Sequence, residues 1–154
     1  MTVTGKDPNN GFPRSLTPDD TFYRAIHPSF LKKRNGTISS GAFSKSTIDN
    51  RMSMDWSEKS TIQESYDRMA GKWNDCRGLA SVTAQLCWEN SQVIFFDPIE
   101  NDPSQADNPS HSQMANATEP PAMSEKRLKK RLARGAKLLV DYDQVPPPTS
   151  DPTE

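Results

Sequence analysis

Cysteine is scarce in this chain of 154 residues: Cys76 and Cys87 are the only two, and they do not form a C-x-x-C pair. Two thiols cannot supply a structural zinc site or a disulfide framework, so they read as free and partly buried, as in a reducing compartment. No apolar run approaches the roughly 20 residues that a bilayer-spanning helix needs. Met1 to Asn10 is polar and carries no leader-like stretch. A cytoplasmic protein without a membrane span is expected. Glycine-rich phosphate loops, nucleophile elbows, metal-binding helices and dinucleotide fingerprints are all missing, so neither a cofactor nor a metal is expected. Only 32% of residues are hydrophobic, too few for every segment to join a packed core.

What is present is unevenly distributed. Most of the 13 prolines fall near the start, between Pro98 and Pro121, or between Pro146 and Pro152. Proline fixes φ and removes a donor, so these stretches resist regular structure. The expected organisation is a flexible arm over 1–19, one α+β domain over 20–142 with a long polar loop at 98–123, and a disordered Pro-rich acidic tail over 143–154. The net charge of −1 conceals segregation. Lys126, Arg127, Lys129, Lys130, Arg131, Arg134 and Lys137 face only Glu125 between Ser124 and Leu139, whereas Asp141, Asp143, Asp151 and Glu154 make the tail acidic.

Periodicity supplies the elements. Thr21 to Ile26 alternates and is rich in aromatic and β-branched residues, which predicts a strand ended by His27-Pro28. Lys32 to Gly36 reads as a turn, and Thr37 to Phe43 as an extended piece with a bulge at Gly41. Arg51 to Trp56 predicts a strand with Met52, Met54 and Trp56 on one face. Leu79 to Trp88 and Gln92 to Asp97 read as two strands paired through Glu89-Asn90-Ser91, with Val93 to Phe96 at the sheet centre. Ser60-Thr61-Ile62-Gln63 fits a capping box opening a helix with an Ile62, Tyr66, Met69 stripe and a stop at Gly71. Ser124 caps a second helix, to Leu139, with Leu128, Leu132 and Leu139 on its stripe. The expected fold is a small antiparallel sheet of four or five strands with two helices.

Two groups of residues carry potential chemistry. Arg24 in mid-strand needs a partner or a ligand, and His27, Ser39, Ser40 and Asp55 fall in neighbouring motifs. The plain structural expectation pairs Arg24 with Asp55 across the sheet and leaves His27 solvated at its turn. Cys87 beside Trp88 reads as core. The second group is the cationic helix, whose seven basic residues suit either a solvated face or a surface for phosphates or an acidic partner.

The elements Arg24-Ala25-Ile26-His27-Pro28, Ser39-Ser40-Gly41-Ala42-Phe43, Ser53-Met54-Asp55 and Asp97-Pro98-Ile99-Glu100-Asn101 resemble those of a set of small bacterial proteins without an assigned activity. That pattern implies a histidine soon after the last element; here His111 comes only after a Pro/Asn/Asp insertion. A fainter likeness, through Arg24 and Ser39-Ser40, is to ADP-ribosyltransferases, and it implies a catalytic glutamate for which Glu89 and Glu100 are the candidates. Polar arms and a modest core point instead to a non-enzymatic interaction module, an accessory subunit of a larger assembly, with self-association open to it. Nucleic-acid binding by the cationic helix is the alternative, and ribosyl transfer comes third.

Overall fold

A computed structural model describes residues 9–32, 37–72 and 78–140. Expectations for the 1–8 end of the arm, the centre of the Lys32 to Gly36 turn, Cys76 and the acidic tail lie outside them. The centre is an antiparallel sheet. Its strands are β1 (Thr21–Ile26), β4 (Met52–Trp56), β5 (Gly78–Thr83), β6 (Gln92–Phe96), β7 (His111–Asn116) and β8 (Lys137–Val140), in the spatial order β6-β7-β4-β1-β5-β8. A separate ribbon joins β2 (Leu31–Lys32) to β3 (Thr37–Ile38). Three helices complete the α+β fold: α1 (Ile62–Lys72), α2 (Ala84–Glu89) and α3 (Glu125–Gly135).

The register gives the sheet two different faces. Phe22 lies opposite Trp56 and Val82, and Met52 opposite Met114, which itself opposes Ile94. These residues form one continuous core with Leu128 and Leu132 of α3 and with Phe43. On the other face, Ala25 and Leu79 form a small satellite cluster with Tyr23 and Met69 of α1.

Among the described residues the sheet has six strands and there are three α-helices, against four or five and two expected. Three local events account for the difference. First, the alternation expected to run from Leu79 to Trp88 stops at Thr83, whose Oγ1 accepts the Leu86 N–H at 3.1 Å and caps α2. The helix-favouring run Ala84 to Glu89 then overrides the strand pattern. Hence β5 and β6 are not a hairpin, and β6 is an edge strand rather than the centre. Its apolar character has another source: Phe12 stacks on Phe96 at 5.1 Å, and the Arg51 guanidinium lies 4.5 Å from the Phe95 ring centroid. Second, β7 lies inside the stretch expected to be loop, a strand with only Met114 fully buried among its apolar side chains. Third, the cationic helix ends at Gly135, and Lys137 to Val140 turns into β8, so Leu139 is not on the helix stripe.

Two smaller corrections have clear causes. The capping box is Thr61 to Glu64, not Ser60 to Gln63: Glu64 N–H donates to Thr61 Oγ1 at 3.0 Å and Thr61 N–H to Glu64 Oε1 at 2.9 Å. Ser60 is engaged elsewhere, 2.7 Å from Ser65 Oγ. Ile62 points to solvent while Ser65 is fully buried, which displaces the expected stripe. Between Ser40 and Phe43 the chain forms a 3-10 turn instead of a bulged strand. There the Phe30 ring lies so close to Gly41 that a Cβ would stand 2.7 Å from it.

The segment expected as a flexible arm is partly built in. Arg14 ties to Asp20 and Glu58, and Phe12 is 4% exposed, wedged between Phe22, Trp56 and Phe96. Asn10 and Gly11 adopt positive φ, and Asn10 takes the outer edge of β6, accepting the Phe96 N–H at 2.9 Å and donating to Ile94 O at 3.1 Å.

Removing the Phe12 ring leaves a cavity at the end of the core. Phe12→Ala should lower unfolding stability by about 3 kcal/mol in urea titrations; a change below 0.5 kcal/mol, the level of a surface substitution, would mean the arm is not docked. Cys87 is fully enclosed, and burial pushes its thiol up from 9.0 to about 12. The folded state therefore holds this proton more tightly, so stability is intact at neutral pH and declines as pH rises from 9 towards 12. By pH 10 the loss should be about 1.4 kcal/mol, and it should be absent from Cys87→Ala when urea midpoints are compared across pH.

Candidate functional site

Strand β4 buries Met52, Met54 and Trp56 on the core side and turns Ser53 and Asp55 to the other face. Asp55 is only 7% exposed, so its charge must be met within the fold. Its Oδ2 accepts the Ser65 hydroxyl and Arg68 Nη1, both at 2.7 Å, and its Oδ1 accepts Asn108 Nδ2 at 2.9 Å. One carboxylate thus joins the sheet, α1 and the loop before β7.

Arg24 is not its partner, contrary to the expected cross-sheet pair. The guanidinium reaches three main-chain carbonyls instead: Nε donates to Ala42 O at 3.0 Å, Nη1 to Ser53 O at 3.0 Å and Nη2 to Ser44 O at 3.3 Å. The β1–β4 register stops at Tyr23 and Asp55 although β1 continues against β5 to Ile26. Arg24 therefore supplies a donor to Ser53 O beyond the point where the ladder stops. Carbonyls solvate the cation without neutralising it, and burial lowers its pKa to about 10.

Beside this split lies a cavity of about 700 Å³, bounded by β1, β4, Leu79, α1, the 99–108 loop and His111. The loop closes on itself through the Ile99–Asn108 bridge, with N–H to O distances of 3.0 and 2.9 Å. That closure delivers His111 opposite Asp55 across the β4–β7 ladder. The insertion before His111 thus does not remove the histidine from the site; it folds out as a loop.

His111 Nδ1 lies 2.9 Å from Asp97 O, an acceptor only, which places the proton on Nδ1. In the neutral ring Nε2 then accepts the Ser53 hydroxyl, 3.2 Å away. The polarity is that of a hydroxyl with its base and an orienting group. Asp55, by contrast, has both oxygens committed and serves as a structural anchor.

Of the residues singled out in sequence, Arg24 and Asp55 line this cavity, and His27, Ser39 and Ser40 do not. His27 Nδ1 accepts the Ser29 N–H at 3.2 Å, at the end of β1. Ser39 leads into the 3-10 turn and gives it no side-chain cap. Glu89 lies on α2 and Glu100 on the loop; neither lines the cavity with Arg24, so the arginine, serine and glutamate of a ribosyl-transfer site are not assembled there. Arg68 and Asn108 were missed, while Ser53 and His111 stood in the resemblance motifs without a contact expected between them. For Asn108 the Asn-Pro-Ser-His run was the visible signal, and it sits in a stretch with the composition of a loop. Among the described residues, no group of three or more His, Cys, Asp or Glu side chains is placed to hold a metal ion, and no helix is long and apolar enough to cross a membrane.

The second candidate surface is α3, across the sheet from this cavity. Leu128 and Leu132 are buried at 1% and 0% exposure. Lys126, Arg127, Lys130, Arg131 and Arg134 are exposed, as is Lys137 on β8, and Lys129 is half-buried. Arg131 reaches Asn90 Oδ1 at 3.4 Å, and among the described residues none of these cations has an ion-pair partner.

No family model, no curated protein and no solved structure matches this chain. Both surfaces are accordingly read from their own chemistry.

Asp55→Ala would leave the Arg68 charge and the Asn108 amide unpartnered. It should destabilise the fold by about 3 kcal/mol or more in urea titrations, with Asp55→Asn between it and the parent. A near-neutral Asp55→Ala would show that the network does not hold α1 to the sheet.

Proposed function

We propose that the chain is a non-enzymatic interaction module, an accessory subunit of a larger assembly, which meets an acidic protein partner through the cationic face of α3. The observation that carries this reading is the division of labour on that helix. Its two inward leucines are wholly spent in the core, so they are not free to enter a partner's groove or a membrane. Apart from Glu125 in its first turn, what the helix offers outward is positive charge, without ion-pair partners among the described residues. Clustered like charges repel one another, and a surface of opposite sign relieves that repulsion while steering association.

An acidic protein fits better than a nucleic acid. The cations occupy one 11-residue helix and the start of β8, while the chain as a whole is slightly acidic. A phosphate backbone would track along a longer basic stripe and would meet repulsion beyond this patch. Nucleic-acid binding remains the competing outcome of the test.

The test is gentle purification from the native host, with and without nuclease, of the parent and of a variant carrying Lys126→Gln, Arg127→Gln, Lys130→Gln and Arg134→Gln. All four positions are exposed, so the variant should unfold within about 1 kcal/mol of the parent. A stoichiometric protein that survives nuclease and is lost from the variant supports the reading. Nucleic acid that nuclease removes would replace it, and a partner retained by the variant would locate the contact elsewhere.

A further inference from the structure

The cavity on the opposite face is unused by that reading, and its lining has a consistent chemical bias. We infer that it is a binding site for a small organic anion, a carboxylate or phosphate group carried on an apolar or aromatic body. Its volume of about 700 Å³ lies in the range of small-molecule sites, about 300–1,000 Å³. The bias appears when each charged group is followed to its partners. Asp55, the buried carboxylate, is saturated by Ser65, Arg68 and Asn108. Asp67, the other acidic residue of the lining, is exposed on α1 and accepts the Gln63 amide at 2.7 Å.

On the cationic side, Arg68 commits only Nη1, to Asp55, whereas Arg24 spends Nε, Nη1 and Nη2 on the carbonyls of Ala42, Ser53 and Ser44. With Asp67 counted, the two guanidiniums and two carboxylates of the lining balance, so the pull on an anion comes from the uncommitted N–H groups of Arg68 and not from a net charge. Tyr23 adds a donor, since its hydroxyl has no hydrogen-bond partner among the described residues. One wall, from Ala25, Leu79 and Met69, is apolar and suits the body of such a ligand rather than a bare inorganic ion. Guanidinium N–H groups with a phenol beside them match the lone pairs of a carboxylate or phosphate, and low local dielectric strengthens that match.

The experiment is an NMR titration of the ¹⁵N-labelled full chain with three probes: phenyl phosphate, benzoate and the neutral benzyl alcohol. Saturable shifts are expected at Tyr23, Met69 and Leu79 for the two anions, with benzyl alcohol at least about tenfold weaker. Tyr23→Phe, which keeps the ring and removes the hydroxyl, should weaken the anions severalfold and leave benzyl alcohol unchanged. Arg68→Lys, retaining a cation for Asp55 but losing the fork, should do the same more strongly. The four-glutamine α3 variant separates this proposal from the previous one, because it should bind the anions as the parent does. Benzyl alcohol binding as well as benzoate would overturn the anion assignment. Shifts confined to α3 and lost in the glutamine variant, or no saturable shift at the cavity in folded parent protein, would overturn the site.

Discussion

A buried carboxylate has to find donors or it will not stay buried, and Asp55 has three, from two parts of the chain far apart in sequence. Few apolar contacts hold α1 and the 99–108 loop to this face of the sheet. Met69 against Tyr23, Ala25 and Leu79 is the main one for the helix. The charge network therefore sets where both elements sit, and the cavity is the space they leave between them. Replacing Asp55 by an apolar residue alone would not reproduce this, since hydrophobic contact does not specify orientation. The arrangement is one in which polar bonds decide geometry while the opposite face supplies most of the stability.

Arg24 marks where the two faces communicate. It lies on a central strand, lines the cavity, and donates to the turn at Ala42 and Ser44 that packs under α3. The same turn reaches α3 again through Lys45 N–H, which donates to Glu125 Oε2 at 3.3 Å. The proposed anion site and the proposed partner surface are thus separated by one sheet and joined by few groups.

Sequence periodicity revealed β1, β4, β6 and the two longer helices because each carries its own local signal: alternation, a cap, or a leucine spacing. It misread α2, β7 and β8, where local and global preferences part. Ala84 to Glu89 continues the strand-like alternation of β5 yet places the good helix formers Ala84, Gln85, Leu86 and Glu89 behind a threonine cap. Strand β7 is built from His, Ser, Gln, Met, Ala and Asn, whose strand character comes from neighbours β4 and β6 and not from propensity. The site was half legible. Charged residues in mid-strand drew attention to Arg24 and Asp55, but a charge pattern does not say that carbonyls will take the arginine. Nor does it say that Ser65, Arg68 and Asn108 will take the aspartate. His111 was named as the pattern's late histidine, but its arrival at the site depends on a ten-residue loop closed by a bridge between Ile99 and Asn108, which the composition does not announce.

The docking of Asn10 along β6 has a bearing on quaternary structure. An edge strand is a template on which another chain adds itself, and dimers and fibres commonly grow that way. Here the chain's own turn occupies that template at Ile94 and Phe96, in the manner of a short surrogate strand. A second copy seeking to lengthen the sheet at this end would first have to displace Asn10 and draw Phe12 out of the core. Self-association by strand addition is thereby directed away from β6, towards β8, the sheet's other edge.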